Sequence, residues 1–307
     1  MRSYPKSNGE RSPIARRIPA IVTITRFLVI IVLAAGTLLF ESAHAEKVAP
    51  QLVVPDVLAV PGRPVKLEAR LEEAGVLASR GLGGEQLEFS VAGKKAGTAM
   101  TGGDGRAFLE FIPRMRGNLP IVVKAPESAR IQSAEATGTL FSWERRRPIM
   151  LVEVAALMEE KRPMGPIPTP PPGLTLSPSP AEPLADAADE LKRLTDFYYN
   201  AIYISRGDSI GSAGLERLRH WLRQHRFPPG FSVVIGPSDS ALTEKIDEWR
   251  SQGWDHLKTG IGRTPGFAEV LVGRRMDVVI VPEAERGELP RKAQIAKSWK
   301  EVRKKNI

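Results

Sequence analysis

The hydrophobic rhythm of the chain changes once, near Pro148, and that change bounds what it can fold into. Before it, apolar residues recur at every second position: Val65-Lys-Leu-Glu-Ala-Arg-Leu71 and Leu87-Glu-Phe-Ser-Val91 alternate with polar or charged neighbours. This is the period of strands with one face in a core and one in water. A strand over 106–112 carries Ala107, Leu109 and Phe111 on one face, and 119–124 and 136–143 complete the set. No stretch of 47–145 has a helical period, so this half is expected to be a β-sandwich. After Pro148 the pattern alternates strand with helix, which predicts a parallel sheet covered on both faces.

Thr101-Gly-Gly-Asp-Gly105 reads as a tight hairpin turn. No Lys-Ser/Thr pair or helix start follows Gly105, so it is not a phosphate loop. With its surroundings, Gly97-Thr-Ala-Met-Thr-Gly-Gly-Asp-Gly-Arg-Ala107, this half resembles bacterial immunoglobulin-like domains of the invasin/intimin kind over residues 50–143. The resemblance implies an immunoglobulin-like sandwich acting as a spacer or adhesion unit.

The 307 residues are 42% hydrophobic and 26% charged, which excludes a wholly disordered chain and allows about two domains. There is no cysteine, which removes disulfides, thiolate nucleophiles and cysteine-ligated metals together. Of the net charge of +9, +4 lies in residues 1–45 and +5 in the rest, where seven basic residues crowd 291–305. Aromatic residues sit in apolar periodic segments, with no basic groove around them, so nucleic acid is not an expected partner.

At the amino terminus a basic leader ends at Arg26, a fourteen-residue apolar run follows to Phe40, and Ala43-His44-Ala45 precedes Glu46. These are the parts of a secretory signal peptide, expected to be cleaved after Ala45. The run is shorter than the about 20 residues that span a bilayer. Retention as an anchor is the alternative; Arg16-Arg17 is only a weak twin-arginine signal. The expected organisation is signal peptide 1–45, sandwich 46–145 and an α/β domain 148–307, with nine prolines in an inserted segment over 162–183.

In the second half, the unbroken apolar run 149–154 reads as a strand buried on both faces. Further strands are expected over 201–205, 231–236 and 277–281. Helices are expected over 184–199, 212–225, 239–252, 266–274 and 289–305, the last strongly basic. Ligands of open parallel sheets bind at the carboxyl ends of the strands. Those ends carry Glu153, Ser205, Gly236-Pro237-Ser238 and Glu283, with Lys258 between the third strand and the last.

An acid, a hydroxyl, a lysine and a second acid in that order resemble the haloacid-dehalogenase superfamily of phosphohydrolases. Tyr203-Ile-Ser-Arg-Gly-Asp-Ser-Ile-Gly211 and Trp221-Leu-Arg-Gln-His-Arg-Phe-Pro-Pro-Gly230 are similar to its lipin-type phosphatidate phosphatase branch. The likeness is loose over 148–290 and best over 201–237. It implies an attacking aspartate on the first strand, a second aspartate two residues on as acid/base, Ser205 and Lys258 on the phosphoryl oxygens, and Mg²⁺ held by Glu153 and Glu283. The first motif departs from this: Leu151-Val-Glu-Val-Ala155 puts the longer Glu153 at the nucleophile position and Ala155, which holds no proton, at the acid/base position.

Plainer readings stand beside each candidate. Glu153 is also placed to cap a helix, Ser205 to form a turn, Lys258 to sit in solvent and Asp255-His256 to form a polar loop. Gly207-Asp-Ser-Ile-Gly211 matches a nucleophile elbow. Yet His220 and His225 lie on the helix that follows it, leaving only His256, with Asp239 as acid. A serine hydrolase is therefore disfavoured, and the i,i+5 spacing of His220 and His225 disfavours a metal pair. The sequence points to an exported cell-envelope binding or scaffold protein with an inactive phosphatase-like domain. Its partner would be an envelope protein or phosphorylated ligand, with membrane-surface contact through the basic final helix. The alternative is a Mg²⁺-dependent phosphatase acting on a phosphorylated envelope substrate or lipid headgroup.

Overall fold

The computed structural model describes residues 47–73, 79–159, 182–207, 212–283 and 289–305. The signal-peptide segment, nearly all of the proline-rich insertion and Ser209 of the elbow motif lie outside these residues. From Lys47 to Ile307 the chain forms one compact unit.

Its amino-terminal part is a two-sheet sandwich. One sheet joins β1 (Pro50–Val53), β3 (Val65–Glu73), β4 (Arg80–Gly81) and β7 (Arg106–Phe111). The other runs β2 (Val57–Ala59), β9 (Ala134–Ser142), β8 (Gly117–Ala125), β5 (Gln86–Val91) and β6 (Lys94–Met100), in that order. The alternation read from the sequence fills the space between them: Leu67, Ala69 and Leu71 of β3 pack with Leu87, Phe89, Ile121, Val123 and Leu140. β6 escapes a pattern-based reading because it is an edge strand of Lys, Ala, Gly and Thr, half exposed along its length. The Thr101–Gly105 turn is not a hairpin within one sheet: it carries the chain from β6 of one sheet to β7 of the other. Gly105 adopts φ 78°, and a Cβ there would lie 2.3 Å from the Leu71 carbonyl oxygen, so only glycine fits.

The remainder is a six-stranded, all-parallel sheet. Its strands are β10 (Ile149–Glu153), β11 (Asn200–Arg206), β12 (Phe231–Ile235), β13 (Leu257–Gly262), β14 (Asp277–Ile280) and β15 (Gln294–Ile295), in the spatial order β12-β11-β10-β13-β14-β15. The order reverses at β10, so the crevice between β10 and β13 is the switch point of a doubly wound sheet. Helices α1 (Ala187–Phe197), α2 (Ser212–Gln224) and α5 (Trp299–Val302) cover one face through Leu191, Leu194, Leu218, Trp221 and Trp299. The other face is covered by α3 (Asp239–Ser251) and α4 (Pro265–Gly273) through Leu242, Ile246, Trp249, Phe267 and Leu271.

One expectation about the carboxyl-terminal segment needs correction. The basic helix over 289–305 is absent; the short strand β15 and the four-residue α5 stand there instead. Burying Trp299, whose indole N–H donates to the Ala156 carbonyl at 3.0 Å, fixes this segment more firmly than its helix propensity. The sandwich keeps a core of its own, and its last strand also reaches into the α/β part. Phe141 and Trp143, at and just past the end of β9, are buried in the cluster that contains Ile202, Ile235 and Trp249, and Phe141 meets Phe231 edge-on at 5.9 Å. The connecting arginines tighten the junction. Arg145 donates to the Gln252 carbonyl at the end of α3 and Arg147 to the Thr195 carbonyl near the end of α1, where cations oppose the negative helix poles.

Candidate functional site

β10 delivers Glu153 to the switch point, and β13 runs beside it into Gly262-Arg263-Thr264 and helix α4. Thr264 is the N-cap, its hydroxyl accepting from the Phe267 N–H at 3.3 Å, and Pro265 opens the helix with φ already suited to it. The free N–H groups of such a turn bind anions. Here the anion is Glu153 itself. Its Oε2 accepts from the Arg263 and Thr264 N–H groups at 2.7 and 2.9 Å, and its Oε1 accepts from the Thr264 hydroxyl at 2.6 Å. Only 2% of Glu153 is exposed.

The approach depends on two glycines. A Cβ at Gly260 would lie 2.2 Å from Leu271 Cδ2, and one at Gly262 would lie 2.2 Å from Phe267 Cδ1. Helix α4 therefore rests directly on the strand that precedes it. Gly266 repeats the device, since a Cβ there would come within 2.4 Å of the Asp239 carboxylate.

Arg206, at the end of β11, spans the two acids. Its Nη1 lies 2.8 Å from Asp239 Oδ1 and its Nε 3.9 Å from Glu153 Oε1. Its Nε and Nη2 are buried without a hydrogen-bond partner. Arg263 turns away and donates to the Met158 carbonyl at 3.0 Å. Strand ends β10 and β11 and the start of α3 thus carry a carboxylate–guanidinium–carboxylate chain. Glu153 is its buried end, Asp239 its half-exposed end, and two guanidinium nitrogens between them carry no hydrogen bond.

The sequence candidates part company around this chain. Ser205 is on the neighbouring strand end, one step beyond the Glu153–Ile204 pair. It lines a cleft of about 790 Å³ with Arg206, Met158 and the His220–Arg223 side of α2. Lys258 stands at the opposite end of the sheet. β13 begins at Leu257 beside Ile149, so Lys258 lies about 13 Å, four strand residues, from the level of Glu153. Glu283 is exposed and follows β14, two strands from β10, or roughly 10 Å across the sheet.

Mg²⁺, which the family resemblance implies, does not fit these residues. Both Glu153 oxygens face N–H and O–H donors, and Glu283 is not its neighbour. No group of three or more His, Asp or Glu able to hold a metal occurs among the described residues. Ala155 lies in a 3₁₀ turn over Val154–Leu157. The His256 carbonyl accepts from the Ile149 N–H at 2.8 Å at the amino end of β10, which places Asp255-His256 away from the switch point. Sequence reasoning passed over Arg206, Thr264 and the Gly260-x-Gly262-x-x-x-Gly266 spacing. A glycine pair closing a strand before Thr-Pro was the signal that could have found the turn.

No protein-family model matches the chain, and no curated protein matches it. Some of the solved structures that match cover about a third of it, and two putative α-galactosidases from Bacteroides fragilis match over 79% of it at 12% and 9% identity, TM-scores 0.22 and 0.21. The former include fibronectin(III)-like modules of CbhA from Clostridium thermocellum, with 19% identity over 32% of this chain and 48% of that one, TM-score 0.25. Human titin ZIg10 has 14% identity over 34% and 85%, TM-score 0.22, and the titin M3 domain 15% over 31% and 98%, TM-score 0.23. The chain spans about half the length of the CbhA structure. The sandwich itself is assigned from its own strand pairing.

Proposed function

We propose that the chain is an exported, non-catalytic binding or scaffold protein of the cell envelope. In this reading an invasin-like sandwich is fused to a haloacid-dehalogenase-like domain whose active site has been converted into a structural joint. One observation carries the reading: the carboxylate at the nucleophile position is buried and spends both oxygens on the turn before α4. A nucleophile needs a free lone pair aimed at phosphorus, and a proton donor must stand nearby. Glu153 is buried with three of its four lone-pair sites taken by the turn before α4, and Ala155 has no proton to give. Lys258 stands at the wrong end of the sheet to neutralise a phosphoryl group.

Hydrolysis of an aryl phosphate by the chain from Lys47 onward, with and without Mg²⁺, tests the reading. Release at the buffer rate is expected in both. Turnover that disappears in Glu153→Gln while the circular dichroism spectrum is kept would establish the phosphatase instead. Export is tested separately, by amino-terminal sequencing of the protein recovered outside the cytoplasm. A mature start at Glu46 is expected; a start within residues 1–26 would favour the anchored form.

A further inference from the structure

Helix α1 ends in three consecutive aromatic residues, Phe197-Tyr198-Tyr199, and the first two turn outward. Phe197 is 77% exposed and Tyr198 63%, the highest values among the exposed large hydrophobic residues. Their rings lie side by side, with centroids 6.2 Å apart. By contrast, exposed Phe108 on the sandwich has the Lys66 ammonium 4.4 Å above its ring. A paired, uncovered aromatic tip of this size calls for a partner.

The rim of the tip is cationic and held in place. Arg193 and Arg303 line the same hollow as Phe197 and Tyr198. Both pair with the buried Glu190, at 2.7 and 2.5 Å, while their own side chains remain 55% and 49% exposed. Glu190 therefore acts as a peg that fixes two guanidinium groups beside two rings. The segment carrying Arg303 packs on α1 through α5 and adds further charge: residues 291–305 hold seven basic residues and one acid, Glu301. Lys300 is paired with Asp186 at 3.2 Å, whereas Arg291, Lys292, Lys297, Lys304 and Lys305 have no acidic partner among the described residues.

We propose that this face docks on an anionic lipid surface, with Phe197 and Tyr198 seated at headgroup level, Arg193 and Arg303 beside them on lipid phosphates, and the other basic residues of 291–305 adding attraction. Aromatic rings with one polar end settle at a membrane–water interface. Each basic residue held near an anionic leaflet adds attraction that salt screens. Charge selects this occupant: a second copy of the chain would bring the same cations against themselves. The docking does not depend on how the Glu153 site is read, and it uses a folded, pinned surface rather than a basic helix.

The test is cosedimentation of the chain from Lys47 onward with vesicles of phosphatidylcholine alone or mixed equally with phosphatidylglycerol. Binding is expected only to the mixed vesicles, weakening as salt is raised. The double variant Phe197→Ser, Tyr198→Ser should bind roughly tenfold more weakly while melting at the wild-type temperature, since neither ring is part of a core. Lys304→Glu, Lys305→Glu should weaken binding in low salt only. No binding to the mixed vesicles, or wild-type binding by the serine variant, would overturn the proposal. So would a concentration-dependent dimer in sedimentation velocity that the serine variant abolishes without any effect of vesicles.

Discussion

Glu153 is the anion on the turn before α4, and replacing it separates a structural role from a catalytic one. Glu153→Gln leaves one oxygen to accept the Arg263 and Thr264 N–H groups and turns the other into a donor. That donor faces the Thr264 hydroxyl and, 3.9 Å away, the Arg206 guanidinium. Bonds to a charged acceptor are worth about twice those to a neutral one, so the loss is on the order of 2–3 kcal/mol. Glu153→Ala removes all three bonds and leaves two backbone donors and Arg206 facing a hole, for about 3–5 kcal/mol. In a unit of this size, each kcal/mol moves the melting temperature by about 2–4 °C. The midpoint should fall by roughly 4–12 °C for Gln and roughly 6–20 °C for Ala, read by differential scanning calorimetry. The alanine variant offers a second readout. Its vacated turn still presents the Arg263 and Thr264 N–H groups, so inorganic phosphate should raise its melting temperature more than chloride of equal ionic strength. Wild type should show no such preference. A variant that melts at or above wild type would refute the reasoning, because catalytic carboxylates are often held at a cost to stability that their removal relieves. Equal phosphate stabilisation of wild type and alanine variant would refute it too.

Other consequences follow from the same contacts. Burial raises the Asp56 carboxyl above its ordinary value of 3.8, while Arg219 beside it and the Thr139 N–H pull it down and Glu216 opposes them. A raised folded-state value means that its contribution is complete below about pH 4 and is lost as pH rises through the folded value. Asp56→Asn should therefore flatten that part of the urea-midpoint profile, and superimposable profiles would count against it. Trp299→Ala should cost about 3–5 kcal/mol in denaturant titration, through lost packing and the bond to the Ala156 carbonyl, and a loss under about 1 kcal/mol would show that the segment is not pinned. A fragment of residues 47–145 should melt cooperatively on its own core but bind a hydrophobic dye through uncovered Phe141 and Trp143. Phe141→Ser should reduce the dye signal, and an unfolded fragment would show that the sandwich needs the sheet beside it.

Strands with a strong apolar code were legible in the sequence. β3, β5, β8 and β9 place most of their apolar residues at every second position because one face meets a core, and β10 is apolar up to its last residue, Glu153, because helices cover both faces. β6 and β13 were not legible, for opposite physical reasons. β6 is an edge with little to bury. β13 is buried from Thr259 to Gly262 but uses glycine there, because Phe267 and Leu271 fill the space that side chains would take. A strand whose apolar surface is supplied by its neighbour leaves no hydrophobic pattern of its own. Missing β13 turned Lys258 from a residue at the start of a central strand into an apparent ligand between strands.

The site was legible to the same extent. Position alone placed Glu153 at the carboxyl end of the first strand, and a glutamate with no proton donor two residues on could be read as a departure from phosphatase chemistry. What that carboxylate does instead depends on the turn after β13, the strand that went unseen. Gly260 and Gly262 let α4 sit close enough for its amino end to reach β10. The extra methylene that would carry a nucleophile past its target then gives the carboxylate the reach to close the turn from the neighbouring strand. With aspartate at 153 the carboxylate would stop short of the Arg263 and Thr264 N–H groups, and the positive end of the helix would be open to an external anion. The residue that departs from the phosphatase pattern is thus the one that fills the anion site. In the proposed reading, Ala155 at the acid/base position and Glu153 on the turn before α4 are two sides of one conversion from site to joint.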